Sequence, residues 1–197
     1  MTCIVGFTDK KTNTTWIGAD SLGSNGYTHT IQDGHKVFHN STLNNVIMGA
    51  CGSFRVIDLL EFSNDLFPEI DAYTHPDINR KYMVNTFIPN VMRVLQMQNI
   101  SEKDTERGGS FLVGVDGKLF EIQQDYSVLE PKDGYAAIGS GEVAARGSLY
   151  ATTHNCKKFT PEQHIISALE AAEKICIGVQ RPFIILNTST NEIKIIN

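Results

Sequence analysis

Thr2 carries the two chemical groups of a nucleophilic centre once Met1 is removed from the chain. A hydroxyl is a weak nucleophile that needs an adjacent base, and the free α-amine of an N-terminal threonine can act as that base. Such an amine has an ordinary pKa of about 7.7–8.0, so a good fraction of it is unprotonated near neutral pH. Many proteins begin with Met-Thr, however, and this dipeptide alone is more simply explained as an ordinary chain start. The catalytic interpretation therefore depends on the rest of the chain.

The apolar run at residues 2–8 predicts a β-strand, which would hold the Thr2 hydroxyl on a rigid element. Further strands are predicted at residues 14–20, 36–39, 45–49, 111–115, 119–123, 135–138, 183–186 and 192–196. Helices are predicted at residues 53–66, from near Pro76 to 95 with a kink or a division at Pro89, at 142–152 and at 160–176. This order predicts one α+β domain over residues 1–197, with two antiparallel sheets stacked face to face and helices outside them.

The composition excludes several classes of protein. A formal net charge of −5 gives no general attraction to nucleic acid or to an anionic membrane. The chain has no run of about 18 apolar residues and no basic-then-apolar start, so neither a membrane span nor a secretory signal is predicted. The four cysteines are scattered without a CxxC pair, which is typical of buried free thiols in a reducing compartment. The histidines show no metal-ligand spacing, so we expect no bound metal. The free thiols and the lack of a secretory signal predict a cytoplasmic protein.

Short motifs rich in small residues stand where the predicted strands end or begin. They are Gly18-Ala19-Asp20-Ser21, Lys36-Val37, Gly49-Ala50-Cys51-Gly52-Ser53, Ile138-Gly139-Ser140-Gly141 and Ile175-Cys176-Ile177. Together with Thr2-Cys3-Ile4-Val5, and with helices in the expected gaps, this series resembles the proteasome β-subunit family, and within it the bacterial HslV-type threonine peptidases. The resemblance covers nearly the full length. It implies the four-layer αββα sandwich of N-terminal-nucleophile hydrolases.

Three residues match the charged and nucleophilic groups of that family. Thr2 matches the nucleophile and its amine matches the base, and the β-methyl group limits the directions in which the hydroxyl points. Lys36 matches the catalytic lysine, whose ammonium would favour a neutral amine and stabilise a developing alkoxide. Asp20 matches the carboxylate that orients this lysine. Without Thr2 and the glycine motifs, Lys36 and Asp20 would be interpreted as surface charges on loops.

Two residues of the glycine motifs match the rest of the catalytic centre. Gly52 matches the oxyanion hole, because a glycine that opens a helix presents a backbone N–H to a developing negative charge. Ser140 matches a serine that would hydrogen-bond the terminal amine or a bridging water. Each has a purely structural alternative, since Gly52 could serve only the turn before a helix and Ser140 only a tight turn.

The resemblance also implies a path for an extended substrate. The substrate would pair through main-chain hydrogen bonds with Gly23-Ser24 on one side and Gly52-Ser53-Phe54 on the other. The first specificity pocket would be lined by residues near Gly23, Gly34, Ala50 and Phe54. Phe54 stands where the family often has a small residue. It would either make this pocket shallow or turn into the core beside its helix.

The chain departs from the family pattern near Cys176. Many members have an aspartate just before this segment, and here the residue is Lys174. A supporting serine found in many proteasomes is replaced by Ile177 or Gly178, as it is in HslV-type members. The amine would then be oriented by Ser140 and water alone. As in similar proteins, the backbone carbonyls between Cys176 and Gln180 are expected to bind a monovalent cation, unless Lys174 displaces it. No other cofactor is expected.

Three functions are compatible with these residues. The first is a threonine-type endopeptidase in a homo-oligomeric ring, acting on peptides or unfolded proteins delivered by a AAA+ unfoldase partner. The second is an N-terminal-nucleophile amidohydrolase acting on a small amide, because the fold does not determine the substrate. The third is a structural ring subunit with a weak site. A pure scaffold has no need of Thr2, Asp20, Lys36 and Gly52 together, which favours the enzymes.

Overall fold

Two five-stranded antiparallel sheets form the centre of the fold. The computed structural model describes residues 1–32, 36–43, 45–67, 77–98, 100, 109–156 and 158–197. The first sheet has the order β10-β1-β2-β11-β12, the second has the order β5-β6-β7-β8-β9, and β3 and β4 form a separate hairpin. The strands are β1 Ile4–Asp9, β2 Thr14–Ala19, β3 Leu22–Ser24, β4 His29–Ile31, β5 Val37–His39, β6 Val46–Ala50, β7 Phe111–Val115, β8 Lys118–Ile122, β9 Val128–Leu129, β10 Tyr135–Ile138, β11 Phe183–Asn187 and β12 Thr190–Ile196.

Helices cover the outer face of each sheet. They are α1 Phe54–Phe62, α2 Arg80–Tyr82, α3 Ile88–Met97, α4 Glu142–Asn155 and α5 Pro161–Ile175, with a π-helical segment Met83–Phe87 between α2 and α3. Three apolar clusters separate the layers. One lies between the sheets around Ile4 and Ile47, one joins the first sheet to α4 and α5, and one joins the second sheet to α1 and α3. The predicted αββα sandwich is therefore confirmed.

Local signals account for several of the predicted elements. The Asp116-Gly117 turn between β7 and β8 has positive φ at both residues, as expected for the tight hairpin that this dipeptide predicts. Helix α5 begins with a capping box, in which the Thr160 side chain accepts from the Gln163 amide at 3.2 Å and the Gln163 side chain accepts from the Thr160 amide at 2.9 Å.

The first two predicted helices differ from the observed ones. Helix α1 ends at Phe62, four residues before the predicted end, where the chain turns at Ser63. At Pro89 the helix neither breaks nor divides. The π-helical segment directly precedes it and accommodates a residue that cannot donate a backbone hydrogen bond. The predicted start near Pro76 lies outside the described residues.

The β3–β4 hairpin was not predicted, because its sequence is rich in glycine, serine and asparagine. The Asn25 side chain closes its turn by accepting hydrogen bonds from the amides of Tyr27 at 3.0 Å and Thr28 at 2.8 Å. None of the helices in the described part of the chain is long and apolar enough to cross a membrane.

Candidate active site

Thr2 lies directly before β1, where the Gly139–Gly141 loop holds it. Its backbone nitrogen donates to Ser140 Oγ at 3.1 Å, while the Ser140 hydroxyl and the Gly141 amide both donate to the Thr2 carbonyl at 3.2 Å. Gly139 has φ +93°, and a Cβ there would lie 2.4 Å from the Thr2 carbonyl oxygen, so only glycine allows this close approach. Thr2 is 6% exposed and fixed on both sides.

In the 197-residue chain, Met1 precedes Thr2 and packs at this centre. The Thr2 hydroxyl donates to the Met1 carbonyl at 2.5 Å, and the Met1 side chain lies against Gly178. While Met1 remains, the Thr2 nitrogen is part of an amide and has no lone pair with which to accept a proton. Catalysis by the amine therefore requires removal of Met1, which is 52% exposed.

Asp20 and Lys36 form a buried salt bridge beside Cys3, the residue that follows Thr2. The Lys36 ammonium lies 2.9 Å from both carboxylate oxygens of Asp20, and the two residues are 3% and 1% exposed. Asp20 Oδ1 also accepts from the backbone amide of Cys3 at 2.8 Å, and Oδ2 accepts from the amide of Leu22 at 3.0 Å. One carboxylate thus connects the start of β1, the entry to β3 and the lysine that precedes β5.

The charge state of Lys36 reflects two opposed effects. Burial lowers the pKa of its ammonium, while the Asp20 carboxylate and its hydrogen bonds raise it. A lysine that loses hydration but keeps one paired carboxylate has a positive charge that is little screened by water. Such a group fits the stabilisation of a nearby alkoxide, because electrostatic interactions strengthen where water is excluded.

The two buried thiols, those of Cys3 and Cys51, are poor nucleophiles. Burial raises the pKa of the Cys3 thiol far above its usual range, and it likewise raises the pKa of Cys51. The thiolate is the reactive form of cysteine, so both thiols are inert at neutral pH. All four cysteines are free, as predicted, although Cys156 and Cys176 are only partly buried.

Gly52 follows β6 and has a conformation that favours glycine. Its φ is +112°, it is exposed, and within the described residues no hydrogen bond engages its amide. The preceding residue, Cys51, is fixed by a hydrogen bond from its amide to the Ser110 carbonyl at 3.0 Å. A Cβ at Gly109 would lie 1.6 Å from the Cys51 carbonyl, so that glycine is required for the approach of the two segments. The sequence interpretation overlooked Gly109.

The residues expected to bind substrate differ in their burial and in the element that carries them. Gly23 lies in β3, buried and paired with Thr30, and Ser24 is half-buried beside it. Ala50 ends β6, where its amide donates to the Lys36 carbonyl at 3.0 Å, and Ser53 is the N-cap of α1. Phe54 is 39% exposed and does not join the core cluster beneath its helix. Gly34 lies outside the described residues.

The segment that follows α5 presents a thiol to Ser140. Cys176 Sγ lies 3.5 Å from Ser140 Oγ, whereas Lys174 is an exposed residue in the last turn of α5. The carbonyl of Cys176 accepts from the Val179 amide at 3.1 Å, and that of Gln180 accepts from the Ser21 amide at 3.0 Å. The monovalent cation expected on this segment stays a prediction.

A cleft of about 880 Å³ opens beside Ser140, and the sequence interpretation did not include it. Its described lining comes from four separate segments of the chain, at residues 51, 110, 123–129 and 139–142. The lining residues with polar or reactive side chains include Cys51, Ser110, Gln123, Asp125, Ser140 and Glu142. No short motif joins these residues, so only the fold reveals them as neighbours.

Comparison with solved structures shows that the fold is shared with HslV, BPH and Anbu. Eukaryotic HslV from Trypanosoma brucei is 18% identical, with a TM-score of 0.68 over 94% of this chain and 98% of that one. BPH from Thiobacillus denitrificans, in complex with epoxomicin, is 17% identical, with a TM-score of 0.73 over 94% and 97%. A Gly-1 mutant of Anbu from Hyphomicrobium sp. strain MC1 is 13% identical, with a TM-score of 0.70 over 100% and 87%.

No family model and no curated protein matches the chain by sequence. At these identities the likeness to solved structures concerns the fold. The fold is that of HslV and the proteasome-like proteins, so the resemblance inferred from the motifs is confirmed at that level.

Proposed function

We propose that the chain, after removal of Met1, is a threonine-type endopeptidase of a proteasome-like particle. The observation that carries this proposal is the buried Asp20–Lys36 pair, whose carboxylate also binds the backbone of the residue after Thr2. Burying a charged pair costs free energy because both groups lose their hydration. Buried charged groups therefore occur more often at functional sites than elsewhere in a protein.

In the proposed reaction the Thr2 hydroxyl attacks the carbonyl carbon of a peptide bond. The free Thr2 amine takes the hydroxyl proton, and the Lys36 ammonium stabilises the alkoxide that develops. The negative charge on the former carbonyl oxygen is stabilised by the Gly52 amide. The amine then gives its proton to the departing nitrogen, leaving an ester between Thr2 and the first half of the substrate.

Hydrolysis of that ester completes the cycle and restores the hydroxyl. A water molecule attacks the ester carbonyl, and the Thr2 amine now removes a proton from this water. The amine passes this proton to the Thr2 oxygen as the ester bond breaks, and the first half of the substrate leaves as a carboxylic acid. Ser140 fixes the direction of the amine, because its Oγ accepts the Thr2 N–H, while its own proton is directed to the Thr2 carbonyl. The mechanism needs no cofactor.

Assembly into a homo-oligomeric ring is part of the proposal. Large apolar side chains are exposed on α4 and at the end of α5, including Val143 at 80%, Tyr150 at 60%, Ile175 at 75% and Ile177 at 92%. Exposed apolar surface of this kind is typical of contacts between subunits. A closed ring admits only unfolded chains, so we also propose peptides or unfolded proteins as substrates and a AAA+ unfoldase as partner. Free thiols are compatible with a cytoplasmic location.

Hydrolysis of short fluorogenic peptides by matched variants tests the proposal. Wild-type protein and Thr2→Ser, which keeps both hydroxyl and amine, should release the fluorophore. Thr2→Ala should not. The wild-type intact mass should lack Met1, and sedimentation should show a ring. A monomer that hydrolyses only small amides would support the amidohydrolase hypothesis. Turnover that survives in Thr2→Ala would show that Thr2 is not the nucleophile.

A further inference from the structure

The cleft beside Ser140 lies on one side of Thr2, and the expected substrate path lies on the other. Thr2 precedes β1, which is flanked by β10 and β2 in the first sheet. The path through Gly23 follows from the end of β2, where the Leu22 amide is held by Asp20. The cleft opens where β10 ends and α4 begins, with Ser140 and Glu142 in its wall.

A substrate that crosses Thr2 must therefore have one half on each side of the attacking hydroxyl. If the half retained as the ester pairs with β3 and the Gly52 segment, the departing half enters the cleft. This assignment rests on the proposed function. The volume of about 880 Å³ is sufficient for several residues of a departing peptide.

The charged groups among the described residues that line the cleft are negative. Asp125 is held by the amide of Ser127 at 2.9 Å and by the Ser127 hydroxyl at 2.8 Å, and these bonds lower the pKa of its carboxyl. Glu142 begins α4 and, in the described part of the chain, has no salt-bridge partner. No lysine, arginine or histidine is among the described residues of the lining.

Cys51 lies in the wall of the cleft. Burial raises the pKa of its thiol most, and the Glu142 carboxylate raises it further. Leu129 adds an apolar wall that suits the methylene groups of a long basic side chain, while Gln123 supplies hydrogen-bonding groups.

We propose that this cleft binds the departing half of the substrate and prefers a lysine or arginine directly after the cleaved bond. The cationic head would lie between Asp125 and Glu142, with its stem along Leu129. Since both carboxylates are close to solvent, the expected preference over a neutral residue is roughly two- to fivefold.

Internally quenched peptides test this preference. Their first halves are identical, and the residue after the cleaved bond is Lys, Gln or Glu, with the cleaved bond identified by mass spectrometry. The wild type should cleave the Lys peptide fastest and the Glu peptide slowest, with a difference that shrinks as salt increases. The double variant Asp125→Asn/Glu142→Gln should lose the preference. Asp133→Asn, which removes an exposed carboxylate outside the cleft, should keep it.

A binding measurement separates failure of the cleft from failure of the peptidase. Thr2→Ala protein is mixed with a fluorescent tripeptide amide that begins with Lys or with Glu, and anisotropy is recorded. Stronger binding of the Lys peptide, lost with Asp125→Asn/Glu142→Gln, supports the cleft even if no peptide is hydrolysed. Equal binding and equal cleavage of the three peptides overturn the cleft and leave the peptidase. A preference that persists in the double variant overturns the role of these carboxylates.

Discussion

The two ends of β1 carry buried polar groups that are held in opposite ways. At its start, Asp20 and Lys36 are buried with a full charge on each side of a salt bridge. Near its other end, His164 stacks on Phe7 at 4.8 Å and bonds the Thr152 hydroxyl at 2.9 Å. Burial lowers the pKa of His164, so this imidazole is neutral at physiological pH.

The difference supports the proposed role of the Asp20–Lys36 pair over a role for His164. A neutral imidazole between aromatic rings needs only one hydrogen-bond partner, and packing accounts for it completely. A buried ion pair needs extra hydrogen bonds, which here come from the backbone at the start of β1 and at the entry to β3. Its partners come from three separate segments around Thr2, so we assign the chemistry to that end of β1.

Among the variants that test the difference between the two ends of β1, loss of Lys36 should have the largest effect on peptide hydrolysis. Lys36→Met removes the ammonium and should lower kcat/KM for a fluorogenic peptide by about 100- to 1000-fold. It also leaves a buried carboxylate without its cation, which costs about 3–5 kcal/mol of stability.

Adding Asp20→Asn to Lys36→Met separates the two consequences. The side-chain oxygen of the new asparagine can still accept a hydrogen bond from the Cys3 amide. The double variant should therefore regain much of the stability, measured by urea denaturation, without regaining activity. Lys36→Arg should remain poorly active, because a planar guanidinium does not fit the space of an ammonium. Full turnover in Lys36→Met would refute the assignment of Lys36.

Loss of the Ser140 hydroxyl should have an intermediate effect. Ser140→Ala removes the acceptor for the Thr2 nitrogen and a donor to the Thr2 carbonyl, and should slow peptide hydrolysis about tenfold. Ser148→Ala is the matched control, since the Ser148 hydroxyl pairs with Ser167 on the outer helices. An equal loss in both variants would show that the effect is a general loss of stability.

Replacement of His164 should have the smallest effect on activity. His164→Phe should change peptide hydrolysis by less than about twofold, because aromatic packing remains. In the wild type the pKa of His164 is lower in the folded chain than in the unfolded chain. As the pH falls, the imidazole is therefore protonated first in the unfolded chain. The contribution of His164 to stability is complete above a pH of about 6.5 and is lost as the pH falls below that value.

The variant should lose that part of the pH dependence, as measured by thermal unfolding between pH 5 and 8. A large loss of peptidase activity in His164→Phe, with the fold intact, would contradict the assignment of the chemistry to the other end of β1.

The sequence predicted the layers and the charged centre because each left a local signal. Strand alternation, the Asp116-Gly117 turn and the Thr160 cap are local patterns, and Asp20, Lys36 and Ser140 stand in short motifs. The contact between Cys176 and Ser140 had no such signal, since it depends on where α5 ends relative to β10. The cleft was missed for the same reason, because Asp125 lies in the turn between β8 and β9 whereas Glu142 begins α4.

Labelling of Thr2 by a peptide epoxyketone tests the central claim most directly, because this reagent requires both the hydroxyl and the free amine of the same residue. Epoxomicin is present in the structure of the similar BPH and is the natural first reagent. The account predicts that the protein loses Met1 and gains one inhibitor, with the adduct on Thr2 by tandem mass spectrometry and none in Thr2→Ala. An active protein that keeps Met1, or that carries the adduct on Cys51 or Cys176, would contradict it.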